Sequence, residues 1–566
     1  AEGGETFSMD GVWAYNEKAQ FVGGKVINLS SYVVTELLSG EEQEKAIGEL
    51  RKIIVMSAKL PMKTWGILNG IIGVYRMKQK GIFDQAAGPE TQEELKRLFD
   101  WRTFIDCENH VALINLPTNY YGVAFGIARY RELLGWEPEG WSQKLLNRFM
   151  EHINQYSGEY EFMDETPGQG RFDRYSILVP AEIADSILNT GMELPDKIVS
   201  MLKKSTAICL NMANEQGYGF SYGRSTGAYG DTGVLQILRA AARVPGVLDQ
   251  EGEKAAYAYC AKIIERFRSF WIDEEMNSIN MWEKGRATDA YRNKGRILSE
   301  NLSLCMQIVE AYDWKNPGCE PEYLEEFWKE RKTARVQGIF YRFAKGEYER
   351  GLALVRDGEH VWSLPLISGG SKYYNKSPYL PIPYEQFLVT GVPDVSYGNL
   401  IPVLTLEDGR RVMPAVYMAE ITHSQEPDCF RVTYKQSRMS VAGEEDTIDS
   451  FDEIWSETVC TWTPGQIRRE DTFYIKEEVS VSSIDLEFLT FSDNHQMLSD
   501  GTGAEFLNGG ISRIMAEGYE SCSVEKAEDT ERYHTPEGAL KNHIRWEKRD
   551  VRGRKAVVSW TMGYHR

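Results

Sequence analysis

Several things are missing from this 566-residue chain, and each absence removes a class of function. No apolar run reaches the roughly 18 residues a membrane-spanning helix needs, so no membrane span is expected. Cysteine is sparse. The eight (Cys107, Cys209, Cys260, Cys305, Cys319, Cys429, Cys460 and Cys522) are scattered without a CxxC, which argues against zinc or a redox pair. Histidine is as sparse, and no HxxxH spacing occurs, so no metal site is expected. No GxSxG, P-loop or dinucleotide fingerprint stands in a suitable context, and no cofactor is expected. Positive charge is short: 64 Lys and Arg face 84 Asp and Glu, a formal net charge of −20. That argues against nucleic acid as a partner, while leaving room for a local basic cleft. A fixed solenoid-type repeat is also absent. The chain opens Ala1-Glu-Gly-Gly with neither Met nor an apolar leader, and the expectation leans toward a secreted or periplasmic location.

What is present points to two domains. The length exceeds what one core normally serves. Residues 1–30 are Gly-rich and read as irregular or a short hairpin. Helical periodicity then recurs at 41–60, 62–78, 91–101, 119–134, 141–156, 172–188, 195–214, 226–243, 252–271, 296–312 and 321–332. Apolar and amphipathic helices roughly alternate, as the inner and outer rings of an incomplete (α/α) toroid would. Near residue 336 the period changes to strand-like alternation, with runs at 400–406, 412–421, 430–434, 454–462, 468–479, 484–489, 541–547 and 555–562. The expected fold is therefore multidomain α then β: a toroid over 1–335 and a large antiparallel β-sandwich over 336–566.

Four constellations on the helical side carry candidate chemistry. Asn119 follows Pro117-Thr118 and opens an inner-type helix with Tyr120; an N-cap is its simplest role. The polar loop 161–175 ends in Asp173-Arg174-Tyr175 at the start of the most apolar helix, with Asp173 placed to cap it. The stretch Gly217-Tyr-Gly-Phe-Ser-Tyr-Gly-Arg-Ser-Thr-Gly-Ala-Tyr-Gly-Asp231 holds five glycines, with Tyr222, Arg224 and Tyr229. Glycine at this density lets the backbone turn and approach something closely. A basic run, 282–296, includes Tyr291 and Arg292. Trp65 and Asn69, on the second arm of a helical hairpin, join the candidate binding residues. In the second domain the Tyr/Pro-rich loop 371–384, with Tyr374, is placed to lean over the toroid, and His423 follows a strand.

The order of toroid then sandwich, with these motifs, resembles the α/α-toroid polysaccharide lyases of the hyaluronate/chondroitin, alginate and heparinase II/III-like groups. Asn119-Tyr-Tyr-Gly-Val-Ala-Phe-Gly126 looks like the helix start that supplies their carboxylate-neutralising Asn. Tyr222-Gly-Arg-Ser-Thr-Gly-Ala-Tyr229 is similar to their Gly-Arg-Ser segment. Where some of those enzymes carry a His base, this chain reads Gly170-Arg-Phe-Asp-Arg-Tyr175, which favours tyrosine.

The resemblance implies β-elimination on an acidic oligo- or polysaccharide containing uronate. Abstracting the C5 proton requires the neighbouring carboxylate to be neutralised, a role that suits Asn119 with Arg224 or Arg174. Tyr175, Tyr229 or Tyr222 would act as base and acid. Two other readings stay open. One is a toroidal glycoside hydrolase acting on glucuronides, using carboxylates from Asp164, Glu165, Asp173 and Asp231. The other is a noncatalytic glycan-binding protein.

Overall fold

A computed structural model describes residues 8–9, 12–13 and 19–566, apart from 276–277, 282–293, 313, 315, 347–348, 368–378, 391–399, 443–448, 529–532 and 536. The first half is helical. Six helices form a ring: α1 (Val22–Tyr32), α3 (Thr64–Gln79), α6 (Tyr120–Leu133), α8 (Arg174–Thr190), α10 (Ala228–Arg243) and α12 (Lys294–Tyr312). Each packs on the next, and α12 packs back on α1. Between them run α2 (Gly40–Ser57), the short α4 (Phe83–Ala86), α5 (Pro89–Leu98), α7 (Trp141–Tyr156), α9 (Asp196–Asn211) and α11 (Gln250–Arg266), and α13 (Pro321–Lys332) closes the series.

Burial sorts inner helices from outer ones. In α6, 11 of 14 residues are buried, so nearly every face meets protein. In α7 only Ser142, Leu145, Leu146, Phe149, His152 and Ile153 are buried, a single stripe at helical spacing.

Helix α1 lies where the sequence reads as irregular. Gly23-Gly24 lowers helix propensity, yet the ring needs glycine there. A Cβ on Gly24 would sit 1.7 Å from the Gly66 carbonyl oxygen, and one on Gly73 would sit 3.0 Å from Asn28 Cα. The contact order 24 to 66 and 28 to 73 also shows that α1 and α3 run parallel. The expected hairpin precedes α1 as Ser8–Met9 paired with Val12–Trp13.

Helices end at Lys332, and strands begin at Gln337. A three-stranded antiparallel sheet (Gln337–Ala344, Arg350–Asp357, His360–Leu366) leads into two larger antiparallel sheets of eight and seven strands. In Ile454–Thr463, burial alternates strictly, turning Ile454, Ser456, Thr458, Cys460 and Trp462 inward. Trp462 of the eight-stranded sheet and Trp546 of the seven-stranded sheet belong to one core. The run expected at 412–421 is interrupted around Pro414 and becomes Arg411–Met413 and Met418–Glu426. Strands Asp493–Met497, Gly503–Asn508, Ile511–Glu517 and Ser521–Lys526 complete the sheets, although their mixed polar composition gives weak alternation.

The three-stranded sheet and the segment after it cover the end of the ring where the inner helices begin. Buried Arg350 donates from Nε to the Gly170 carbonyl at 2.8 Å, and the Phe172 amide donates to the Ile367 carbonyl at 3.2 Å.

Candidate active site

At that end, two buried carboxylates hold one arginine. Asp173 caps α8 by accepting the Tyr175 amide at 2.9 Å. Its other oxygen lies 2.9 Å from Arg224 Nε and accepts the Tyr379 hydroxyl at 2.8 Å. Glu165 pairs with Arg224 Nη2. Arg171 stands 3.8 Å from both carboxylates. Glu165 and Asp173 are wholly buried, whereas the Arg224 side chain keeps 21% of its surface.

The two acids are pushed apart. Burial raises Glu165 above the usual carboxylate range despite Arg224. Burial acts against Asp173 too, but Arg224, Arg171 and the Tyr379 hydroxyl hold it below that range. Against the effect of partial burial, Asp173 and Glu165 raise the Arg224 pKa well above the ordinary value.

Asn119 is the residue before α6, yet its side chain does not cap the helix. Glu165 takes it instead, accepting the Asn119 amide at 3.0 Å and Nδ2 at 2.7 Å. Asn119 Oδ1 is buried without a hydrogen-bond partner. Behind it, buried His152 shares a hydrogen bond with Thr118 Oγ1 at 3.1 Å and lies 3.3 Å from the Asp164 carbonyl oxygen. Burial lowers His152 to about 4, so it is neutral at ordinary pH.

Tyr175 is half-buried, with two guanidiniums near its ring: Arg174 at 4.6 Å and Arg224 at 4.4 Å from the ring centroid. Arg174 also bonds the Tyr229 carbonyl, and its guanidinium lies 5.4 Å from the Tyr229 ring. A Cβ on Gly233 would stand 3.1 Å from Arg174 Nη1, so glycine makes room for that side chain.

The structure thus brings Asn119, Arg174, Tyr175, Arg224 and Tyr229 to one end of the ring. Tyr120 and Trp65 pack beside it, with ring centroids 6.3 Å apart. Asn69 accepts from Asn28 Nδ2 at 3.0 Å and donates to the Trp65 carbonyl at 2.9 Å, joining α3 to α1. Tyr222 stands apart: its ring is wholly buried, edge-on to Phe220, and burial raises its hydroxyl well above the ordinary value. His423 lies exposed on the strand Met418–Glu426, stacked on Phe340 at 5.4 Å. Tyr291, Arg292 and Tyr374 lie outside the described residues.

Three participants escaped the sequence reading. Arg171 and His152 carry no motif. Tyr379 lies in the Tyr/Pro-rich loop, five residues from the tyrosine singled out there. Of the four carboxylates named for hydrolysis, Asp164 is spent on the amides of Thr166, Gly170 and Arg171. Asp231 accepts from Gly219, Arg266 and Trp271. Among the described residues, no cluster of His, Cys, Asp or Glu suits a metal ion, and no helix is long and apolar enough to cross a membrane.

No known family pattern matches the chain, and no curated protein matches it. Among solved structures it is similar to heparinase III (11% identity, 88% of this chain and 76% of that one, TM-score 0.32). It is also similar to a chondroitinase AC lyase (10%, 96% and 83%, TM-score 0.37). A third likeness is to a glycosyl hydrolase of family 88 from Bacteroides vulgatus (7%, 52% and 94%, TM-score 0.37). At TM-scores this low the likenesses carry no weight, and the fold stands on the chain's own contacts.

Proposed function

We propose that the chain is a polysaccharide lyase that cleaves a uronate-containing glycan by β-elimination at the Asn119–Tyr175–Arg224 cluster. The supporting observation is the placing of Tyr175, a half-buried phenol with the Arg174 and Arg224 guanidiniums 4.6 and 4.4 Å from its ring centroid. Two positive charges close to the ring stabilise a phenolate at the moment of proton abstraction. In this reading Arg224, beside the Tyr175 ring, and Asn119, through the Nδ2 hydrogen not given to Glu165, are the donors for a substrate carboxylate. The Tyr175 phenolate takes the C5 proton. The C5–H electrons form the C4–C5 double bond, the C4–O bond breaks, and the departing oxygen takes a proton from the tyrosine. Glu165, Asp173 and Tyr379 are positioning residues in this scheme: they are buried and hold the arginine and amide in place.

One observation favours a hydrolase instead. Glu165 is raised and Asp173 lowered, which is how environments separate an acid from a base. Both carboxylates are already occupied by Arg224 and by a further donor each, Asn119 Nδ2 on Glu165 and the Tyr379 hydroxyl on Asp173, which counts against either serving as a free acid or base. Incubation with uronate polysaccharides separates the readings. The lyase gives new reducing ends together with ultraviolet absorbance from the C4–C5 double bond; a hydrolase gives reducing ends alone. Retention of the glycan without turnover would indicate a binding protein.

A further inference from the structure

The inner helices α3, α6, α8, α10 and α12 converge at their C-terminal turns on a second cavity of about 600 Å3, within the usual size of small-ligand pockets. Asn119, Tyr175 and Tyr229 stand at the opposite, N-terminal turns of the same ring. At 1.5 Å per residue, the two sites are separated by roughly 15–20 Å along the helices.

The cavity's charges are mostly matched. Arg239 and Arg243 share Asp185 at 2.8 and 2.6 Å, Arg239 also meets Glu310 at 3.3 Å, and Lys80 pairs with Glu36 at 2.9 Å. Arg76 differs. Its Nη1 donates only to neutral acceptors: the Asn28 carbonyl at 3.1 Å, Asn28 Oδ1 at 2.8 Å and Ser31 Oγ at 2.9 Å. Among the described residues, no carboxylate lies within ion-pair distance of it. Burial lowers its pKa below the ordinary guanidinium value, against the longer-range attraction of Glu310 and Glu36. Glu253, Glu310 and Asn189 line the same cavity and offer hydrogen-bond acceptors. Tyr75 and Trp314 offer flat ring faces, and Trp314 is steadied edge-on by Tyr257 at 5.7 Å. Trp314 Nε1 is buried with no hydrogen-bond partner.

We propose that this cavity is a second ligand site, which takes an acidic monosaccharide: a pyranose bearing one carboxylate. The carboxylate meets Arg76, which among the described residues has no carboxylate within ion-pair distance. The hydroxyls donate to Glu253, Glu310 and Asn189, and a sugar face lies on Tyr75. A cation with no direct ion pair among the described residues, set among several acceptors, selects one carboxylate and many hydroxyls, and it selects against a neutral hexose.

The test is titration calorimetry with D-glucuronate and with D-glucose on the full chain. The expected result is a glucuronate-binding step that persists in Asn119→Ala, where any binding at the proposed uronate site is weakened, and that is at least tenfold weaker when Arg76→Gln or Tyr75→Leu is added to that variant. Glucose should bind the wild type at least tenfold more weakly than glucuronate. Arg76 also joins α3 to α1, so Tyr75→Leu, on the half-exposed wall, is the variant expected to keep its fold. Loss of glucuronate binding in Asn119→Ala with retention in Tyr75→Leu would overturn the proposal. So would the absence of binding at millimolar glucuronate, or equal affinity for glucose. None of these outcomes bears on the elimination chemistry, which the absorbance assay reads separately.

Discussion

The Tyr379 hydroxyl donates to Asp173 Oδ2 at 2.8 Å, across 206 residues of sequence. One partner follows the three-stranded sheet, and the other caps the helix that carries Tyr175. The second half of the chain therefore completes the electrostatics of a site whose other charged groups come from the ring. Tyr379→Phe should cost about 1 kcal/mol of stability, because Asp173 keeps Arg224 and the Tyr175 amide. If Tyr379 positions the site through Asp173, turnover should fall about three- to tenfold with KM little changed, a split that steady-state kinetics can read.

Arg224 neutralises two wholly buried carboxylates at once. Arg224→Met should lower stability at pH 7 by about 3–5 kcal/mol, because it strands buried charge. The sign of the pH dependence follows from the same geometry. In the wild type, Asp173 lies below its ordinary pKa, so its contribution is present at neutral pH and is lost as pH falls through its folded value. Without Arg224 both acids should titrate higher, and the variant should recover stability as pH drops from 7 toward 5. Urea unfolding across that range checks the slope.

His152 gives a second pH signature. Its folded pKa is lowered to about 4 from 6.5. Between those values the unfolded chain takes up a proton that the folded chain refuses. Stability should therefore fall on the order of 2–3 kcal/mol as pH drops from 6.5 to 4, and the loss should be complete below that window. His152→Gln should flatten this part of the curve relative to the wild type.

The glycines of 217–231 make a sharper structural prediction. Gly217 has φ +73°, and a Cβ there would meet the Lys262 carbonyl oxygen at 2.2 Å. A Cβ on Gly219 would lie 2.1 Å from the Gly230 carbonyl oxygen. Gly219→Ala should destabilise by more than about 1 kcal/mol and reduce turnover, since it pushes the Arg224 loop off the start of α10. Thermal unfolding and kinetics together test this.

Much of this architecture was legible in the sequence. Long periodic segments marked α2, α3 and α6–α11, because burial of a helical stripe leaves a direct trace in residue order. The helix α1 was hidden because close packing demanded glycines that read as loop. The grouping of Asn119, Arg174, Tyr175 and Arg224 could be anticipated from motif and helix-start positions. Their partners could not. Nothing local marks Glu165 as the carboxylate that turns the Asn119 side chain away from capping, or Tyr379 as a neighbour of Asp173. Those contacts are set by how distant segments meet. Tyr222 and Tyr229 look equivalent in sequence, and both are buried, but only Tyr229 lies near Arg174.

The central claim is that Tyr175 moves the proton in an elimination. The most direct measurement follows ultraviolet absorbance and reducing ends in parallel for the wild type, Tyr175→Phe and Asn119→Ala on a uronate polysaccharide. The account predicts that both signals rise together in the wild type. Each variant should lose at least about a thousandfold in turnover while unfolding at a wild-type temperature. Reducing ends without absorbance, or near wild-type elimination in Tyr175→Phe, would contradict it.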